Sequence, residues 1–336
     1  MSAAASLSEP FAAHQRAVGE LCVGVRRRGA ATVLADLRQA GCLKARFPRR
    51  ENAEWIDVVT LNISGGIAAG DRLLSEFAVG DGARATIAAQ AAERFYRALP
   101  DAPPARVRTN IAVGAAAAAE WLPQHSILFD RCALDRMLCI ELAADAWFLG
   151  VESLVFGRAA MGEVVGAGSV RDVIRVRRDG RLLLHDAIRL DGPIAAHLAR
   201  PAVARGARAV ATLIHVAPDA EGSVGRLRTA LDRVQKNQPR TFTVMPGLDP
   251  GIHAVASRTN AGDGRIKSGH DGLMVTRDGP HVACFGLSEI ESGVSAWDGM
   301  LLARILAPDG ASLRAAVIAG LQAIRGGRTL PRVWLC

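Results

Sequence analysis

The sequence has 336 residues, enough for one large domain or two ordinary ones with a substantial core. Half of the residues are apolar, only one is tyrosine, and no apolar run reaches the roughly 18–20 residues that a membrane-spanning helix needs. The net charge of +8 is carried almost wholly by arginines. They are scattered and not interleaved with aromatics, which argues against a nucleic-acid groove and for a basic surface that meets an acidic protein.

Residues 1–18 are small, polar and alanine-rich and are expected to form a disordered N-terminus. This stretch has no charged region followed by an apolar one, so no signal peptide is expected. Short segments with strand character follow: Glu20–Arg26, Ala30–Arg38, Trp55–Leu61, Arg72–Val79, Ala83–Ala89, Arg106–Val113, Ala119–Leu122 and Ser126–Phe129. Met137–Leu142, Trp147–Phe156, Ser169–Arg177 and Arg181–Leu190 continue the cadence. Asp179-Gly180 is the hairpin turn between the last two, whose alternation is imperfect.

Two amphipathic helices are predicted. In Ser223–Gln235, Val224, Leu227, Leu231 and Val234 share a face, and Ser223 is a suitable N-cap. In Ala311–Arg325, Leu313, Val317, Leu321 and Ile324 share a face, and Gly326-Gly327 supplies the stop. Strands four to eight residues long with turn signals every 8–12 residues predict a mostly β fold. Either a sandwich or a stacked-sheet, β-helix-like architecture would satisfy them, with the two helices packed on it.

The segment 236–277 reads differently. It holds two of the three lysines and a series of Pro-Gly, Asp-Pro-Gly and Gly-Asp-Gly turns with little apolar periodicity. It is expected to be a disordered surface insertion within a single domain made of 19–235 and 278–336. Met245–His253 and Ser268–Gly272 resemble translated repeat elements found inside some bacterial genes.

Chemistry-bearing motifs are scarce. There is no Gly-x-Ser-x-Gly elbow, no His-Glu-x-x-His and no Gly-Lys-Ser/Thr, so little speaks for an enzyme. His281-Val282-Ala283-Cys284 is better explained as a buried apolar strand than as a metal site. The six cysteines form no Cys-x-x-Cys pair, which fits a reducing cytoplasm. Gly65, Gly66 and Gly70, followed by Asp71 and Arg72, mark a tight irregular connection between two strands with an acid at its end. Other acids also sit beside glycines or inside apolar runs: Asp130 after Ile127-Leu128-Phe129, Glu152 within Trp147–Glu152, and Glu163 after Met161-Gly162. Such a carboxylate must be paired, hydrogen-bonded or facing a wet cavity. Arg72, Arg131 and Arg158, adjacent in sequence, are the candidate partners.

The stretch Ser64-Gly65-Gly66-Ile67-Ala68-Ala69-Gly70-Asp71 resembles the Gly-Gly-x-x-Gly-Gly-Asp signature of the UreD (UreH) urease accessory proteins, with Ala69 in place of one glycine. The resemblance continues in Phe95-Tyr96-Arg97, Trp121-Leu122-Pro123-Gln124, Ile127-Leu128-Phe129-Asp130 and Gly157-Arg158. It closes with Ser295-Ala296-Trp297-Asp298-Gly299 and Leu330-Pro331-Arg332-Val333-Trp334. It implies a non-catalytic scaffold that docks on the urease apoprotein with UreF-like and UreG-like partners and supports nickel insertion. It also implies transit of nickel with no tightly bound cofactor, and the acids singled out above, Asp71, Asp130, Glu152 and Glu163, are the expected path. Oxygen ligands suit such transit, because nitrogen and sulfur sites hold nickel too firmly to let go. Trp334 and Leu335, read as exposed, are the expected partner contacts. Neither nucleic acid nor membrane is expected as a partner. The alternative is a β-sandwich carbohydrate-binding module or glycoside hydrolase with paired carboxylates, although aromatic platforms are few.

Overall fold

The computed structural model describes residues 15–49, 52–158, 161–237 and 287–335. The elements run as β1 (Val18–Arg28), β2 (Ala31–Gly41), β3 (Leu43–Arg46), β4 (Ile56–Asn62), β5 (Arg72–Val79), β6 (Arg84–Ala89) and β7 (Glu93–Phe95). Then come β8 (Ala105–Val113), β9 (Ala118–Leu122), β10 (Ser126–Leu128), β11 (Ala133–Leu142), β12 (Trp147–Phe156), β13 (Gly168–Arg178) and β14 (Arg181–Gly192). The chain ends with α1 (Ile194–Ala199), β15 (Ala209–Val216), α2 (Val224–Asn237), β16 (Glu291–Trp297), β17 (Met300–Ala307) and α3 (Gly310–Ile324).

The strands form two mixed sheets, as the mostly β, stacked-sheet expectation required. One has the order β14-β13-β11-β8-β5-β1-β2, and the other runs β16-β17-β15-β12-β9-β6-β4-β3 with β7 and β10 alongside. From β4 to β13 the chain passes back and forth between the sheets, with the short β7 and β10 as extra strands of the second. The longer strands from β6 on pair in parallel with their counterparts one turn earlier. The result is a coil. Side chains alternate along each strand, so one face of each sheet points inward. Leu21, Phe77, Ile111, Leu134 and Ile140 from the first sheet meet Ile56, Ile87 and Phe148 from the second in the principal core.

A second core lies on the outer face of the second sheet, under α2 and α3. Leu227 and Leu231 of α2 and Leu313, Val317 and Leu321 of α3 are buried there, as their helical spacing predicted. Asp309 caps α3 by accepting a hydrogen bond from the Ser312 amide at 2.8 Å. Gly326 and Gly327, both at positive φ, follow it. Ser223 does not cap α2. A 3-10 turn over Ala220–Ser223 runs directly into the helix, and the Ser223 hydroxyl accepts from Arg226.

Other differences have local causes. Strand β1 begins at Val18, within the stretch expected to be disordered, because the Ala17 amide is tied to Asp71. The irregular alternation before Asp179-Gly180 is a bulge between Val176 and Arg177. Strands β15 and β17 have no counterpart among the predicted segments. Every residue of β15 is buried, so it carries no polar–apolar alternation to read. His281-Val282-Ala283-Cys284 lies outside the described residues, as does most of the proposed insertion.

Candidate functional site

The connections β4–β5, β7–β8, β10–β11 and β12–β13 meet at one end of the coil and are tied together by backbone hydrogen bonds. Tyr96 N donates to Ile67 O, Ala98 N to Arg131 O, and Arg131 N to Ala167 O. In the glycine loop, Gly65, Gly66 and Gly70 have φ of 82°, 140° and 91°. Tyr96 Oη donates to Gly65 O at 2.6 Å, and a Cβ built on Gly66 would stand 2.4 Å from Tyr96 Cε2. Ala69 takes its place without positive φ and is buried. Asp71, also buried, accepts from Ala17 N through Oδ1 and from Ala68 N through Oδ2, both at 2.8 Å. It braces the loop against Ala17, which leads into β1. Arg72 is exposed on β5.

Asp130 and Glu163 come together at the same end. Glu163 Oε1 accepts from the Asp130 amide at 3.2 Å, and its Oε2 accepts from Arg158 Nε at 2.7 Å. Asp130 accepts from Ala167 N and faces Arg131 at 3.7 Å. The Arg158 guanidinium lies 4.3 Å over the Phe129 ring, which meets Tyr96 edge-on. The hydrogen bond from Arg158 holds the Glu163 carboxyl below its ordinary pKa.

Glu152 lies elsewhere, between the sheets. Its Oε1 accepts from Trp121 Nε1 at 2.7 Å and its Oε2 sits 2.7 Å from Arg136 Nη1. Arg136 grips Asp172 with two parallel bonds, Nε to Oδ1 at 2.8 Å and Nη2 to Oδ2 at 2.6 Å, and donates to Ser126 Oγ. All three charged residues are buried. Burial pushes the Glu152 carboxyl upward against the pull of Arg136. Burial alone would lower the Arg136 pKa, but the two carboxylates more than offset it and hold the guanidinium charged. Two carboxylates share one guanidinium.

The four acids therefore occupy three places, and Arg131 and Arg158 are paired as their sequence positions suggested. Among the described residues no group of three or more His, Cys, Asp or Glu is gathered to hold a metal ion. The sequence reading missed Arg136 and Asp172, although a signal was present. Each is a charge at an inward position of a strand whose other inward residues (Leu134, Leu138 and Ile140; Val170, Ile174 and Val176) are apolar.

The C-terminal pair needs correction. Trp334 is not exposed: it is 4% accessible, packs in the helix-side core and donates from Nε1 to Leu122 O at 2.9 Å. Its indole is the plug that seals α3 to β9. Leu335 alone of the two is exposed, at 68%.

The body is thus a coil of two sheets whose acids brace loops or lie clamped between the sheets. The family model of the UreD urease accessory protein matches residues 17–335, and the chain belongs to that family. It is 40% identical over 321 residues to the urease accessory protein UreD of Methylobacterium sp. (strain 4-46), covering 95% of each chain. To that of Sinorhizobium medicae (strain WSM419) it is 38% identical over 334 residues, covering 99% of each. To that of Xanthobacter autotrophicus (strain ATCC BAA-1158 / Py2) it is 37% identical over 323 residues, covering 96% of this chain and 91% of the other. The chain is a urease accessory protein of urease maturation, a non-catalytic chaperone in a family linked to nickel insertion. The carbohydrate-binding and glycoside-hydrolase alternative gives way to this assignment.

Proposed function

We propose that the chain docks on the urease apoprotein in the cytoplasm, with UreF-like and UreG-like partners, and offers nickel a route toward the urease active site. The observation that carries the route is the inter-sheet triad. Arg136 is shared by the carboxyl groups of Glu152 and Asp172, so oxygen donors outnumber the guanidinium that holds them where the sheets face each other. Oxygen donors shared with a resident guanidinium bind a passing divalent cation weakly, as transit requires. Asp130 and Glu163, on the loop end, serve as the mouth. Asp71 serves the same end indirectly by fixing the glycine loop, and Leu335 contributes an exposed apolar contact to docking.

The 236–277 segment is read as an insertion outside this machinery. Gln235 and Leu287–Glu289 line the same surface hollow, which supports that reading.

The test is to delete the gene in its host and measure nickel per urease active site after complementation. The wild-type gene should restore nickel to urease that is made in normal amount without it. Glu152→Gln and the Asp130→Asn/Glu163→Gln double variant should assemble with the partners but restore less nickel. Full metallation with both variants would remove the route while leaving the accessory role intact.

A further inference from the structure

A cavity of about 350 Å³ lies between the β4–β6 side of the second sheet and the strap that follows α3. The strap, from Arg325 to Val333, forms one wall; Trp55 and Ala88 stand on the opposite one. Beneath them Glu120 is wholly buried. Its Oε1 accepts from Arg325 Nε at 2.9 Å and Arg328 Nη2 at 2.5 Å, and its Oε2 accepts from Arg325 Nη2 at 2.9 Å and Thr86 Oγ1 at 2.7 Å. Four donors fill the roughly four lone-pair sites of a carboxylate. Glu120 is therefore saturated, yet it cancels only one of the two guanidiniums above it.

The second guanidinium over Glu120 is the positive charge in excess, and Arg49 lines the cavity at its exposed rim. Arg328 is held flat, with its guanidinium carbon 3.7 Å from the Trp55 ring centroid, which fixes the direction of its donors. Leu330, Pro331 and Val59 give the remaining surface an apolar character.

We infer that this cavity binds a carboxylate carried on an apolar stem, presented by an acidic extended segment of a partner protein. Excess guanidinium selects the carboxylate, the apolar walls select its neighbours, and the volume admits a stretch of peptide. The inference is independent of the nickel route: it concerns the outer face of the second sheet, and the triad lies on the inner one.

The test is calorimetric titration of the full-length chain with the capped tripeptides Leu-Glu-Leu and Leu-Gln-Leu and with succinate. The glutamate peptide should bind at least tenfold more tightly than the glutamine peptide. Arg328→Gln should abolish that preference. If that variant fails to fold, Arg49→Gln, at the exposed rim, should reduce it several-fold with an unchanged melting curve. Equal binding of the two peptides, or none at millimolar concentration, would overturn the site. Succinate binding as tightly as the glutamate peptide would overturn the partner segment in favour of a free anion.

Discussion

At Gly66 the backbone runs at φ 140° with the Tyr96 ring where a methyl group would go, so Gly66→Ala combines backbone strain with a clash. It should cost about 2–4 kcal/mol in urea denaturation. Asp71→Ala should cost about 2–5 kcal/mol in the same measurement, because two backbone amides lose a buried acceptor. Glu152 contributes with the opposite pH sense to a salt-bridged surface acid. Its folded-state pKa is raised by burial, so its contribution is full below the ordinary glutamate value and is lost as pH rises through the raised one. Measured from pH 5 to pH 8, the wild-type chain should lose stability relative to Glu152→Gln. At this scale the sequence pointed to Arg131 and Arg158 as partners of Asp130 and Glu163, but not to Arg136 as the partner of Glu152. Asp130 and Glu163 meet through loops 33 residues apart, and Arg136 is recognisable only once the inward phase of β11 is known.

Among the elements, the strap after α3 behaves as part of the core. Trp334→Ala removes a buried indole and the hydrogen bond to Leu122 O. It should lower stability by about 3–5 kcal/mol, whereas Leu335→Ala should stay within about 0.5 kcal/mol. A native Trp334→Ala chain with unchanged unfolding free energy would contradict the packing described. The helices were legible because one apolar stripe in 3.6-residue period has a single solution. Strands with one wet face, such as β8 and β11, were legible for the analogous reason. Strand β15, dry on both faces between β12 and β17, gives only an apolar run that helix and strand share.

For the whole molecule, the coil makes most pairings run between neighbouring turns, so the proposed insertion between α2 and β16 should be tolerated. Deleting Asn237–Thr276 should leave the melting temperature of the chain within a few degrees. Loss of soluble protein on that deletion would show that the segment belongs to the body. The coil itself was only partly legible. The turn cadence fixes many short strands, but the choice between sandwich and coil depends on parallel pairing, which no local residue pattern encodes.

Among the described residues, the hydrogen bonds of longest reach join Trp334 to Leu122, Gln124 to Val333 and Arg328 to Glu120, spanning 212, 209 and 208 residues. Turns of the coil can find their neighbours as the chain leaves the ribosome, but Glu120 waits for residues made 205 and 208 positions later. A product cut short after Gly327 would keep Arg325 but lose Arg328, which covers Glu120, and Trp334, which plugs the helix layer. The segment after α3 is thus written into the core, and a copy cut short within it would advertise itself to the cell's proteases before it could occupy a partner.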